Sequence, residues 1–379
     1  MNKQRIKKKL NFIISLILLI LLVYFKGIGV KIQDFFFHFV LAYLISYAFI
    51  PLIISFAFRY NILDRPSGRK IHTTPTPKIG GIAIFFGFII SFLFIQNIST
   101  EIYSIVIAST LIVIIGLLDD IFNLSPIMRL IVQFIAVSTV INFGVYIIIF
   151  PTYSFWGNLF NIILTFFWVI GITNSFNFLD GINGEASGLG IIIGTTLSLF
   201  AYLNGDITSA IIIMSAVGAI CGFIPYNLKY RADIFMGDGG SNFLGFFLCT
   251  MTILIEWGSK PSFVNMILPI IVFFICIYDT IMTTITRIYQ GKVKNVSEWI
   301  NYTAKDHIHH KFNLLFDGSN LFTVIIIYFL AIDSAIFVLL YSYYRTSLRA
   351  MVIIVAALIQ IVPLYSFVTW TFFKNLEEL

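Results

Sequence analysis

Five short polar segments interrupt an otherwise apolar chain, and each carries residue types able to do chemistry. The first runs Arg69-Lys70-Ile71-His72 to Pro77-Lys78-Ile79-Gly80-Gly81. Cations stand just before a glycine pair at a helix start, a combination suited to an anion. The second holds Asp119-Asp120, two adjacent carboxylates at the end of an apolar run. Desolvation makes such a pair costly unless a cation or proton is shared. It reads either as a metal or phosphate site or as a helix end at the water boundary. The third places Asn174, Asn177, Asp180 and Asn183 three residues apart, roughly one face of a helical turn. A capped turn between helices would use the same residue types. The fourth is Phe235-Met236-Gly237-Asp238-Gly239-Gly240-Ser241. Its glycines permit close backbone approach to phosphate oxygens, and Asp238 could hold a divalent cation against them. The fifth begins at Asp279-Thr280 and ends in His307-Ile308-His309-His310. No cysteine lies in the polar loops to complete a thiolate zinc site, so these histidines suit binding a diphosphate or relaying a proton.

The elements that must position these residues are membrane spans. Of 379 residues, 59% are apolar and only 11% charged, against about 25% charged in a soluble protein. That excludes a soluble enzyme, a disordered chain and a secreted disulfide scaffold. Twelve apolar runs are predicted as spans: 10–25, 35–58, 79–96, 102–118, 127–150, 158–173, 188–203, 207–226, 241–256, 263–286, 321–342 and 350–371. The first follows five cations but lacks a small-residue cleavage site, so it is expected to be a retained helix. With the N-terminus cytoplasmic, 19 of the 24 Lys and Arg fall on the cytoplasmic side, a strong positive-inside bias. This accounts for most of the net charge of +6, so no nucleic-acid partner is expected. On the same scheme 13 of the 18 acids are cytoplasmic and only Asp333 lies mid-span. Polar chemistry at one membrane face, with five helix N-termini converging there, fits metal-dependent phosphoryl transfer. A transporter or flippase would more often carry ionisable groups near the midplane.

Taken together and in order, these motifs resemble the polyprenyl-phosphate N-acetylhexosamine-1-phosphate transferases, in particular the undecaprenyl-phosphate N-acetylglucosaminyl-1-phosphate transferase-like branch of glycosyltransferase family 4. The match covers roughly residues 35–342. The resemblance implies transfer of a sugar-1-phosphate from a UDP-sugar to undecaprenyl phosphate, releasing UMP, with Mg²⁺ or alternatively Mn²⁺, at the start of a cell-surface polysaccharide such as O-antigen. UDP-GlcNAc is the favoured donor.

By that resemblance Asp238 is the metal ligand. Asp119 and Asp120 activate or orient the lipid phosphate with Asp180 beside them, and His307 and His310 complete the catalytic set. Lys70, His72 and His309 hold phosphates, and Asn174, Asn177, Asn183 and Gly237 contact the substrates. Phe235 stacks on uracil, although a lipid-facing aromatic reads equally well there. Many family members have aspartate where Asn123 and Asn183 stand, so neither is expected to ligate metal. The expected protein is an all-α polytopic enzyme of the bacterial inner membrane with its site facing the cytoplasm. A basic tail and extra helix (1–34) precede a catalytic transmembrane domain (35–342), and an extra helix and tail (343–379) follow. A homodimer is left open. The main alternative is a transporter or flippase of polyprenyl-linked sugars.

Overall fold

The computed structural model describes residues 31–66, 74–255, 263–295, 298, 302, 306–316, 318–344, 355–357 and 359. The span expected at 10–25, all but four residues of that at 350–371, and the candidate residues Lys70 and His72 lie outside the described residues.

Among the described residues the chain is all-α apart from one two-residue antiparallel pair, β1 (Leu63–Asp64) with β2 (Thr76–Pro77). The helices, in order, are α1 (Lys31–Arg59), α2 (Gly81–Phe92), α3 (Thr100–Phe122), α4 (Pro126–Asn142), α5 (Phe155–Phe178) and α6 (Glu185–Leu203). They continue as α7 (Ile207–Asn227), α8 (Gly237–Leu254), α9 (Phe263–Val272), α10 (Phe274–Tyr289), α11 (Ile308–Leu315) and α12 (Asn320–Tyr344). Among the described residues six of them are long and apolar enough to cross a membrane. The protein is a multi-pass membrane protein.

Local chemistry sets the boundaries. Ser99, Ser125 and Ser154 each cap a helix by accepting an N–H of its first turn. Pro126 then supplies a first helical residue that needs no donor. Asn123 ends α3 in the left-handed region (φ 51°), a conformation asparagine tolerates better than most residues. The run expected as one span at 263–286 is divided instead. A single turn residue, Phe273, separates α9 from α10 four residues beyond Pro269. Phe273 N–H still donates to Pro269 O at 3.1 Å, and Phe273 itself departs from helical dihedrals at φ −95°, ψ 16°.

Helix α8 is the axle of the bundle. It packs against α2, α3, α5, α6 and α7, and Gly239 through Thr252 are buried without interruption. A helix enclosed by other helices need not be uniformly apolar to sit in a membrane, so its first turn can carry Gly-Asp-Gly-Gly-Ser-Asn. Two glycine contacts bring backbones together there. A Cβ on Gly81 would strike the backbone of Gly240, and one on Gly116 would meet Gly239 Cα.

Candidate active site

At the end of the bundle where α8 begins, a cavity of about 560 Å³ opens. Its walls come from the start of α8 (Gly237, Asp238), the end of α3 (Asp120) and the turn from α5 to α6 (Asp180, Gly181, Asn183). The segment before α2 adds Thr76 and Lys78, the α7–α8 connection adds Tyr230, Arg231 and Phe235, and α11 adds His310. Residues from all five polar segments therefore meet in one space.

Strand-like backbone bonding builds the floor. Phe235 N–H donates to Pro77 O, and Gly80 and Gly81 N–H donate to Phe235 O and Met236 O at 2.9 and 2.8 Å. The glycine-pair amides expected to attract an anion are thus already used, because the segment pairs edge to edge with 235–236. The chain then turns at Gly237 with φ 75°. A side chain there would be strained, and its Cβ would press on Lys78 O and Asp120 Oδ2.

The carboxylates divide the work. Asp120, 7% exposed, accepts from Asp238 N–H and Gly239 N–H at 3.2 Å each. These are the orphan donors of α8, so Asp120 caps that helix from outside and the amides expected to meet a phosphate meet a carboxylate instead. Asp119 accepts from Leu124 N–H at 2.6 Å and from Arg129 at 2.9 Å. The same Arg129 Nη1 lies 2.9 Å from Asp238 Oδ2, so one guanidinium joins the aspartate pair to the α8 carboxylate. Asp238 itself makes no side-chain cap to α8 and faces the cavity. The Gly237 N–H near Asp180 favours its charged form but is outweighed. Burial, then the negative charges of Asp238, Glu185 and Asp120, hold its carboxyl well above the usual carboxylate range.

The four residues spaced by three separate into two pairs. Asn174 exchanges hydrogen bonds with Gln133 of α4, and Asn177 accepts from Ser241 Oγ of α8 at 2.7 Å. These two tie α5 to its neighbours, whereas Asp180 and Asn183 line the cavity. Asn183 also donates to Lys229 O at 2.9 Å.

The histidines divide too. His310 lines the cavity. His307 Nδ1 is 2.7 Å from Asp279 Oδ2, and its ring lies 5.2 Å from that of Phe178. Arg287 grips Asp306 with two bonds of 2.7 Å. Burial raises the Asp306 carboxyl, but that hydrogen bonding and charge outweigh it and hold the group below its usual range. His309 is 1% exposed and packs behind the cavity, its Nδ1 3.2 Å from Glu185 Oε2. Burial pushes its pKa down to about 4.

With this geometry in view, comparison with known proteins is decisive. Residues 102–256 match the model of glycosyl transferase family 4. A probable undecaprenyl-phosphate N-acetylglucosaminyl 1-phosphate transferase of Bacillus subtilis is 31% identical over 284 residues, covering 73% of this chain and 76% of that protein. The chain belongs to glycosyl transferase family 4. A decaprenyl-phosphate N-acetylglucosaminephosphotransferase of Mycobacterium tuberculosis is 28% identical over 338 residues, 80% of this chain and 81% of that one. An undecaprenyl-phosphate alpha-N-acetylglucosaminyl 1-phosphate transferase of Yersinia pestis is 26% identical over 276 residues, 71% and 74%. The matched family segment runs from the start of α3 to just past α8, and so contains the aspartate pair, the α5–α6 turn and the Gly237-Asp238 turn.

Sequence reasoning passed over several residues of this family site. Arg129 was one cation in a charge bias, Glu185 one acid in a loop, and Asn227, Tyr230 and Arg231 carried no motif. Asn227 is buried and accepts from Gly184 N–H at 2.8 Å while donating to Ile234 O at 3.1 Å, so it couples two cavity loops. An available signal for Arg129 was its place on the first turn of the helix after the aspartates, beside two carboxylates that need a counter-charge.

Proposed function

We propose that the protein transfers N-acetylglucosamine 1-phosphate, or a closely related amino-sugar phosphate, from its UDP donor to undecaprenyl phosphate at the cytoplasmic face of a bacterial inner membrane. A lipid phosphate oxygen attacks the sugar-bearing phosphorus of the donor. The bond from that phosphorus to the bridging oxygen breaks, and UMP leaves. The observation that carries this reading is the meeting of Lys78, Asp180, Phe235, Asp238 and His310 in one cavity at the end of an apolar bundle. The activities for which the three relatives are named point the same way.

Each residue has a part consistent with its position. Lys78, Arg231 and His310 offer positive charge to a diphosphate. Phe235 offers a ring to a base, and Asn183 an amide. Asp180, with its raised affinity for protons, is suited to take the proton of a singly ionised lipid phosphate. Asp120 and Asp119 orient the Asp238 turn through Gly239 and Arg129.

Mg²⁺ fits the donor set. Asp238, Asp120 and Asp180 give hard oxygens on one cavity wall, and burial among like charges already raises Asp180. Among the described residues no three acidic, histidine or cysteine side chains form a ready metal cage. Mg²⁺ is commonly held by one or two carboxylates plus substrate phosphates, and Asp238 would be the principal ligand. When bound, the ion would neutralise charge on the transferring phosphoryl group.

The test is purified protein with undecaprenyl phosphate, Mg²⁺ and a panel of UDP-sugars, scoring UMP release and the lipid-linked product. UMP release with UDP-GlcNAc supports the reading. Absence of UMP with every donor refutes it.

A further inference from the structure

Glu185 opens α6 five residues after Asp180, is fully buried, and has no hydrogen-bond partner on either carboxylate oxygen. Facing it at 3.2 Å is Nδ1 of His309, itself 1% exposed and without a hydrogen bond of normal geometry on either ring nitrogen. On its other side the His309 ring bears on Gly181, where a Cβ would collide with Nε2. Asp279, His307, Cys276 and Tyr328 also act on this pair electrostatically, and Asp180 senses Glu185.

Such a group is costly to keep. A buried carboxylate without hydrogen bonds forfeits several kcal/mol of hydration. A leucine would fill the position with no such loss, so folding alone does not account for Glu185. What the pair does in space is specific. It clamps the turn holding Asp180 and Asn183 against α11, whose next residue, His310, also lines the cavity. Tyr328 of α12 holds the same turn from behind by donating to Gly184 O.

We infer that Glu185 is a positioning residue, which through His309 sets Asp180 and His310 in register within the cavity. The inference rests on the transferase reading above, because the registered groups are those proposed to meet the lipid phosphate and the donor diphosphate.

The test compares wild type with Glu185→Leu, Glu185→Gln and His309→Asn in turnover and thermal stability. For Glu185→Leu, kcat falls at least about tenfold, KM for the UDP-sugar stays within about twofold, and Tm holds or rises. Glu185→Gln keeps hydrogen-bonding atoms at the same reach and restores most of kcat. Adding His309→Asn to Glu185→Leu costs little more, since both remove one clamp. Wild-type kcat in Glu185→Leu overturns the inference while leaving the transferase reading intact. A fall in both Tm and kcat makes the pair an ordinary structural contact and also overturns it. Should Glu185→Leu fail to fold, His309→Asn decides by the same split, lower kcat at unchanged Tm supporting the inference and wild-type kcat or a joint fall in both overturning it. Wild-type protein inert toward every UDP-sugar removes the transferase reading and this inference with it.

Discussion

Replacing Asp120 with asparagine tests whether that carboxylate pins the α8 turn or acts directly as a base. In the structure its two oxygens each accept one N–H, from Asp238 and Gly239. Asparagine keeps one acceptor oxygen and turns an NH₂ toward the second donor. One charge-assisted bond, worth about 1.5–3 kcal/mol, is lost, and one buried donor is left unsatisfied at about 1–3 kcal/mol. The combined cost to the Gly237–Gly239 turn is about 3 kcal/mol. At 1.4 kcal/mol per factor of ten, the seated turn is depopulated about a hundredfold. UMP release should fall by that order, and the melting temperature in detergent should fall on the order of 5 °C. Asp120→Glu should not rescue, because a longer side chain cannot meet both amides at the same spacing. The pinning argument is refuted if Asp120→Asn loses activity while its melting temperature is unchanged. That outcome would return Asp120 to direct chemistry.

Four further outcomes are expected. Asp238→Asn abolishes turnover with little change in melting temperature, because Asp238 is not a cap; binding of Mn²⁺ followed by electron paramagnetic resonance should weaken in parallel. His310→Ala lowers turnover at least about tenfold with folding intact, and near wild-type rates would take His310 out of the site. On acidification, His309 has a folded pKa of about 4, below its unfolded value of about 6.5; its stabilising share is present above the unfolded pKa and is lost as pH falls from there toward 4. Asp306, held below its ordinary range by Arg287, gives up its share only at still lower pH. Between about pH 6.5 and 4 the wild type should therefore lose more melting temperature, or gain less, than His309→Asn, since the raised carboxyl of Asp180 shifts both proteins in the opposite sense. For topology, in a cysteine-free background, Tyr153→Cys should react with an impermeant reagent from outside, whereas Tyr230→Cys should react only after permeabilisation. Both positions are more than 90% exposed, so silence at either would not reflect burial.

Much of the bundle was legible in the sequence because span length and apolarity are dictated by the bilayer. Ten of the predicted runs correspond to described helices, with boundaries shifted by a few residues and one run divided at Phe273. Nothing in the apolar pattern of 263–286 marks Phe273 as the point of division, and proline is no guide, since α1 and α7 carry Pro51 and Pro225 without a break. The site was legible as a set of residues and less so as a set of roles. Motif spacing cannot tell that Asn174 and Asn177 face neighbouring helices while Asp180 and Asn183 face the cavity, since the helix ends between them at Phe178. Nor can it show that the amides of Gly81 and Gly239 are consumed by Met236 O and Asp120. Those partners are 155 and 119 residues away in the chain, and only tertiary packing selects them. Asn123 illustrates the reverse case. Its departure from the family aspartate looked like a question about a ligand, and the structure answers it as a left-handed helix end.

The glycine seams of α8 divide the site into a wall that cannot vary and a wall that can. Where Gly81 meets Gly240 and Gly116 meets Gly239, backbone rests on backbone, so no side chain is available there to be enlarged, trimmed or recharged. The opposite wall is built from side chains on connecting segments, among them Asn183, Tyr230, Arg231 and His310. Variation arising in a lineage can accumulate only on that side. A descendant enzyme could therefore change what it binds through those segments while the floor built on glycine contacts is inherited unchanged. Laboratory selection for a new donor would best randomise the same positions.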